Sequence, residues 1–248
     1  MKKETIEIRT PDGVAAAYEV TPDGAGEHAA ILFFMDGLGV RDALRAMADR
    51  LGAAGYHVLM PDMYYRVGRE LHWDPREVFG NPEKLAEMRK QIVGMSTDNV
   101  MRDARAYLDT LGARPDVDGS RIGAIGYCMG GRFAFLTASH YPERLRAAAA
   151  IHPGGLVSPD PTSPHLGADH VLARLYFGRA SEDASFSDEH ARTLDEALTR
   201  AGVRFQLELY AAKHGWAVGD TPVYDAAEAE RHWKAILALF ADELAPRA

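Results

Sequence analysis

The sequence predicts an α/β fold, with a mostly parallel central sheet, helices on both faces and an antiparallel hairpin at the N-terminal edge. Three observations predict it. Residues 29–35 form a short, continuous apolar run, and 56–60, 122–125 and 145–151 are short, mostly apolar stretches, as expected of strands covered on both faces. Between such runs lie stretches of helical periodicity, for example 41–54, where Leu44, Met47, Ala48 and Leu51 recur on one face. Strand, helix and strand in that order imply a parallel sheet with right-handed crossovers. Residues 5–9 and 14–20 instead alternate polar and apolar about the turn signal Pro11-Asp12-Gly13, which marks the hairpin.

The remaining elements follow in order. Gly55 is a plausible stop for the first helix, and Pro61-Asp62 closes the strand at 56–60. Residues 63–80 form a long connection carrying Tyr64, Tyr65, Trp73 and Pro75; ordered connections of this length tend to cover sites. Residues 82–93 and 98–111 read as helices, the second with Val100, Ala104, Leu108 and Leu111 in one stripe. After the strand at 145–151, residues 157–170 are rich in proline, aspartate and serine and read as loop. Strands at 172–177 and 204–210 flank a helix at 188–201, and a helix over 224–244 closes the chain.

Whole-chain properties narrow the function classes. At 248 residues, with neither repeat nor linker, the chain is expected to form one domain over 1–248. A net charge of −8 leaves no surplus of cations for phosphates, so a general nucleic-acid binder is not expected. A single cysteine rules out an internal disulfide and suits a reducing compartment. No apolar run reaches the roughly 18 residues of a membrane span, and residues 1–8 lack the apolar core of a signal peptide. A cytoplasmic protein is therefore expected. With neither His-Glu-x-x-His nor Cys-x-x-Cys, no metal site is expected, and no cofactor is called for.

The chemistry centres on Gly126-Tyr127-Cys128-Met129-Gly130, between a buried strand and a helix beginning by Phe133. Gly-x-Cys-x-Gly in that setting is a nucleophile elbow with sulfur in place of the usual hydroxyl. Its glycines permit a strained turn, and the helix N-terminus favours thiolate. A buried cysteine acting as a small hydrophobe is the plainer alternative. Catalysis by Cys128 needs a base, and the base needs an acid to orient it. Asp183 and His214 both end predicted strands, and the order nucleophile, acid, base is that of the α/β-hydrolase fold. Glu182 is an alternative acid.

Taken with Glu182-Asp183, His214-Gly215-Trp216, Pro61-Asp62-Met63-Tyr64 and the C-terminal stretch from Tyr224 to Trp233, the Gly126–Arg132 segment resembles the dienelactone hydrolase family over essentially the whole chain. The resemblance implies a Cys128-His214-Asp183 triad that opens small esters or lactones through a thioester. It implies an oxyanion hole built from the Gly37 and Met129 amides. The family's glutamate near the cysteine is Asp36 here, expected to tune the thiol. An arginine that grips substrate in the family is absent after His214, where Trp216, Ala217 and Val218 follow. Tyr127 and Trp216, adjacent to the proposed catalytic residues, and Tyr64 and His152, at strand ends, are expected to line the pocket. Two other functions fit a reachable thiol on this fold: redox sensing through Cys128, and binding without turnover.

Overall fold

The computed structural model describes residues 1–246; the last two residues of the expected domain, 247 and 248, lie outside the described residues. Eight strands form one sheet in the order β1-β2-β4-β3-β5-β6-β7-β8. β1 (Lys2–Thr10) and β2 (Gly13–Thr21) are the expected edge hairpin, and β2 pairs antiparallel with β4 (His57–Pro61). From β4 onward the sheet is parallel: β3 (His28–Phe34), β5 (Val117–Tyr127), β6 (Ala147–Ile151), β7 (Arg174–Glu182) and β8 (Phe205–Lys213). The continuous apolar runs of β3 and β6 are buried along nearly their whole length, as strands covered on both faces must be.

Side-chain parity along β5 separates the two helical layers. A Cβ on Gly123 would meet Phe240 of α7 (Ala226–Glu243), and the Tyr127 hydroxyl reaches His232 of the same helix. A Cβ on Gly126 would instead strike the backbone of α5 (Met129–His140). α1 (Asp42–Ala53) shares the α7 face, with the Arg50 guanidinium 4.6 Å over the Trp233 ring. On the other face α4 (Thr97–Gly112) packs beside α5, the Tyr141 hydroxyl donating to Met101 O at 2.7 Å. The connection between β4 and α4 holds a single turn, α2 (Pro75–Val78), and α3 (Pro82–Gly94); α6 (Asp188–Arg200) joins β7 to β8.

Several boundaries differ from the sequence reading, the elbow strand for example beginning at Val117 rather than Ile122, and two of the differences have definable reasons. Gly178 looks like a strand terminator, yet β7 continues through it to Glu182. Its role is space: a Cβ there would lie 3.1 Å from the Tyr210 ring of β8. α5 begins at Met129 rather than near Phe133, because Gly130 and Gly131 form its first turn, where close packing outweighs their poor helix propensity. No helix among the described residues is long and apolar enough to cross a membrane.

Candidate active site

Cys128 caps α5 with φ 55° and ψ −119°, a conformation that costs a non-glycine residue about 1–3 kcal/mol. Its neighbours enforce it. The Cys128 amide donates to Ile151 O at 3.0 Å, and the Gly131 amide donates to Cys128 O at 3.1 Å. A Cβ on Gly126 would sit 2.0 Å from Gly130 O, and one on Gly130 would sit 2.4 Å from Met35 O. The elbow is thus wedged between the ends of β3 and β6, leaving the cysteine partly exposed.

The structure brings Cys128, His214 and Asp183 together from the ends of β5, β8 and β7. His214 Nδ1 donates to Asp183 Oδ2 at 2.6 Å, which leaves Nε2 for the Cys128 sulfur, to which the imidazole is electrostatically coupled. Asp183 is held in turn: its Oδ1 accepts from the Ser185 amide at 2.8 Å and from the Ser185 hydroxyl at 2.6 Å. Its side chain is 2% exposed, whereas Glu182, the alternative acid, faces solvent and reaches Lys213. Burial pushes the Asp183 carboxyl up, but the bonds from His214 and Ser185 outweigh it and hold it below the usual aspartate value. Ser185 was not foreseen, although Asp183-x-Ser185 after a strand is an Asx-turn signal.

Burial pulls the His214 pKa down, yet its interactions with Cys128 and the Asp183 carboxylate prevail and raise it to about 10. The ordinary imidazole value is 6.5, so stability from protonated His214 is complete below that pH and is withdrawn as pH rises through about 10. Melting temperatures of the parent and His214→Phe, measured across pH, should differ most at the acid end of this window and converge toward pH 10. A gap that widens with pH would contradict the assignment.

His152 lies against this ring, centroid to centroid 5.0 Å, at φ 37° and 1% exposed. Neither of its ring nitrogens has a partner, and burial, with His214 and His232 nearby, holds its pKa well below the usual range. A neutral imidazole therefore abuts His214. Trp216 and Tyr127 do not present an open wall as expected; both are 0% exposed. Strand parity turns Tyr127 under the sheet to His232, and the turn at Gly215, φ 97°, folds Trp216 beneath His152 onto Tyr210. They form the floor beneath His152, which in turn lies against His214.

The proposed oxyanion donors sit where α5 meets the end of β3. Met129 is the first residue of α5, where an amide has no intrahelical acceptor. Gly37 follows β3, and its carbonyl accepts from the Tyr64 hydroxyl at 2.8 Å; that buried hydroxyl also approaches Met129 Sδ at 3.9 Å. Tyr64 thereby braces both donors.

Asp36, the expected thiol tuner, is engaged elsewhere. Its carboxylate accepts from Arg41 Nη1 at 2.7 Å, Arg41 Nη2 at 3.0 Å and the Leu38 amide at 2.9 Å. Burial pushes its pKa up against these partners. Arg41, 6% exposed, also grips Asp220 through Nε at 2.6 Å and Nη2 at 2.8 Å. The turn after β3 is thus strapped to the loop that follows His214. Removing the cation alone would strand a buried carboxylate, so Arg41→Met should cost about 3–5 kcal/mol. Asp220→Asn should cost clearly less, since Asp220 is one-third exposed and Arg41 keeps Asp36. Urea denaturation of both variants tests this; equal losses would contradict it.

A separate cleft of about 940 Å³ opens at the far end of α5, lined by Ser96, Leu136, His140, Pro164 and Leu172 among others. Cys128 is not part of it. Among the described residues, no group of three or more His, Cys, Asp or Glu side chains is placed to hold a metal ion.

A sequence profile of the dienelactone hydrolase family matches residues 15–244. A carboxymethylenebutenolidase of Rhodococcus opacus is 25% identical over 236 residues, covering 94% of this chain and 88% of its own. A crystal structure described as that of a dienelactone hydrolase from Klebsiella pneumoniae subsp. pneumoniae superposes with a TM-score of 0.84 at 25% identity, covering 97% of this chain and 98% of the other. A dienelactone hydrolase-like promiscuous phosphotriesterase from metagenomic libraries shares the fold, with a TM-score of 0.78, 22% identity and 98% and 99% coverage. With the profile spanning nearly the whole sheet and both helical layers, this chain belongs to the dienelactone hydrolase family.

Proposed function

We propose that the protein hydrolyses small carboxylic esters or lactones, with Cys128 as nucleophile, His214 as general base and acid, and Asp183 as its orienting carboxylate. The Cys128 sulfur attacks the carbonyl carbon, and the carbonyl electron pair moves to oxygen. The Gly37 and Met129 amides stabilise that oxyanion; one such donor is typically worth about 10²–10³ in rate. As the carbon–oxygen bond breaks, His214 delivers its proton to the departing alkoxide, leaving a thioester on Cys128. In a lactone the new hydroxyl stays tethered to the acyl group. Water then attacks the thioester, His214 takes its proton, and the thiolate departs with the acid released.

The observation that supports this reading is the convergence of Cys128, His214 and Asp183 at neighbouring strand ends, with His214 bonded to Asp183 at 2.6 Å and electrostatically coupled to Cys128. The names of relatives, carboxymethylenebutenolidase and dienelactone hydrolase, support the choice of a carboxylic ester or lactone. Asp36 is placed to act on the position of Gly37 rather than on the thiol, because its oxygens are committed to Arg41 and Leu38. His152 and Tyr64, each 1% exposed, support the site from behind, His152 against the His214 ring and Tyr64 against Gly37, with Trp216 and Tyr127 beneath. The test is rapid mixing with an activated ester followed by intact-mass measurement. A transient adduct of one acyl group on Cys128, decaying as free acid appears, is expected; turnover with no such adduct at any time would sink the covalent route.

A further inference from the structure

The connection from residue 62 to residue 95 closes over the turn at Asp36–Gly39 at four points. The Tyr64 hydroxyl holds Gly37 O, and the Trp73 amide donates to Leu38 O at 2.9 Å. Leu71 presses on Gly39, where a Cβ would lie 2.3 Å from Leu71 O. From the last turn of α3, Ile92 Cδ1 stands 2.6 Å from the position a Cβ on Gly37 would occupy. The first three contacts involve backbone and fix the turn. The fourth is the free end of an aliphatic side chain.

α3 is well formed but thinly attached. Pro82 opens it, and the Asn81 side chain accepts from the Glu83 and Lys84 amides, so local forces suffice to start it. Of its 13 residues only Met88 is buried. Leu85 and Ile92 lean partly on the core, while Val93 beside Ile92 is 84% exposed. Ile92 is therefore a partly buried apolar side chain whose free end is set against the turn that carries a proposed oxyanion donor.

A carbonyl oxygen bound at the Gly37 amide puts its acyl carbon within a few ångströms of that residue, and hence beside Ile92. An acyl chain longer than a few carbons would need the volume that the Ile92 terminal methyl fills. We propose that Ile92 is a specificity-determining residue that limits the site to short acyl groups and small lactones. This inference rests on the hydrolytic reading of Cys128 and names the substrate size which that site accepts.

The experiment compares the parent with Ile92→Ala, Ile92→Trp and Val93→Ala, using p-nitrophenyl acetate, butanoate and octanoate. The octanoate-to-acetate ratio of kcat/KM should rise about tenfold or more in Ile92→Ala and fall below the parent's in Ile92→Trp. Val93→Ala, altered on the exposed side of the same helix, should keep the parent's ratio. Ratios equal in the parent and both Ile92 variants, or a Val93→Ala ratio that moves with Ile92→Ala, would overturn the proposal. A second readout needs no turnover: rates of Cys128 modification by N-methyl- and N-cyclohexylmaleimide, followed by intact mass, should order the variants in the same way. An unchanged bulky-to-small ratio there overturns the size filter. Shifted maleimide ratios in a protein with no Cys128-dependent ester turnover would remove the hydrolytic reading and leave the filter standing.

Discussion

Cys128→Ala is expected to lose ester hydrolysis by about 10⁴-fold or more while remaining folded. The magnitude follows from what is removed: in the proposed reaction the sulfur forms the bond that divides one difficult hydrolysis into two easier steps. The oxyanion amides and the pocket remain, so a residual rate above uncatalysed hydrolysis should persist. Folding should be spared, since the side chain is partly exposed and alanine meets the same backbone strain at φ 55°. The checking measurements are kcat/KM on an activated ester or lactone, the melting temperature, and intact mass, which should show no acyl adduct. A folded Cys128→Ala retaining more than about one per cent of parental turnover would refute the nucleophile assignment. A parent that turns over no ester or lactone, yet oxidises at Cys128, would instead point to redox sensing.

Gly126→Ala should be the most damaging single-methyl change. The added carbon would sit 2.0 Å from Gly130 O, 2.1 Å from Gly130 C and 2.7 Å from Gly131 N. All three are backbone atoms, so no rotamer change relieves the clash and α5 must move. A cost of about 3 kcal/mol or more is expected. Because α5 carries the Met129 amide and follows directly on the sulfur, a shift near 1 Å should also cost about 10²-fold in rate in whatever folded protein remains. Gly94→Ala makes the contrast: nothing lies within 4 Å of its Cβ, and in the last turn of α3 alanine should be neutral or stabilising by up to about 1 kcal/mol. Chemical denaturation of the pair tests the argument; similar midpoints would contradict it.

Much of this architecture is legible in the sequence because its signals are local. The apolar runs of β3 and β6, the hairpin turn at Pro11-Asp12-Gly13 and the stripe along α4 each arise within a few residues. The elbow is local as well, since its glycines answer to one tight turn. Placing Asp183 and His214 beside it needs only the rule that sites gather at the carboxyl ends of parallel strands. What escapes the sequence is long-range pairing. Arg41 and Asp220 are 179 positions apart, and nothing local to either marks the strap they form. The commitment of Asp36 to Arg41 is closer, five positions apart, but a carboxylate and a guanidinium at that spacing in a turn carry no signal of which way either side chain points. Tyr127 and Trp216 show a different limit: adjacency to a functional residue says little about direction when strand parity or a glycine turn sends the side chain the other way. Gly178 is a third case, because a glycine required for space reads like one required for a turn.

The strap between Arg41 and Asp220 also bears on how the protein matures. The turn that carries Gly37 emerges from the ribosome well before its anchor Asp220, which lies 179 positions beyond Arg41 and close behind His214. Contacts of such sequence separation form late, since a long loop must close before they repay its entropy. A nascent chain lacking the residues from β8 onward leaves Arg41 bonded to Asp36 alone and holds no His214, so under the proposed function enzymatic activity would report closure of this strap rather than collapse of the N-terminal half. Recovery of activity should therefore trail recovery of far-ultraviolet circular dichroism during refolding.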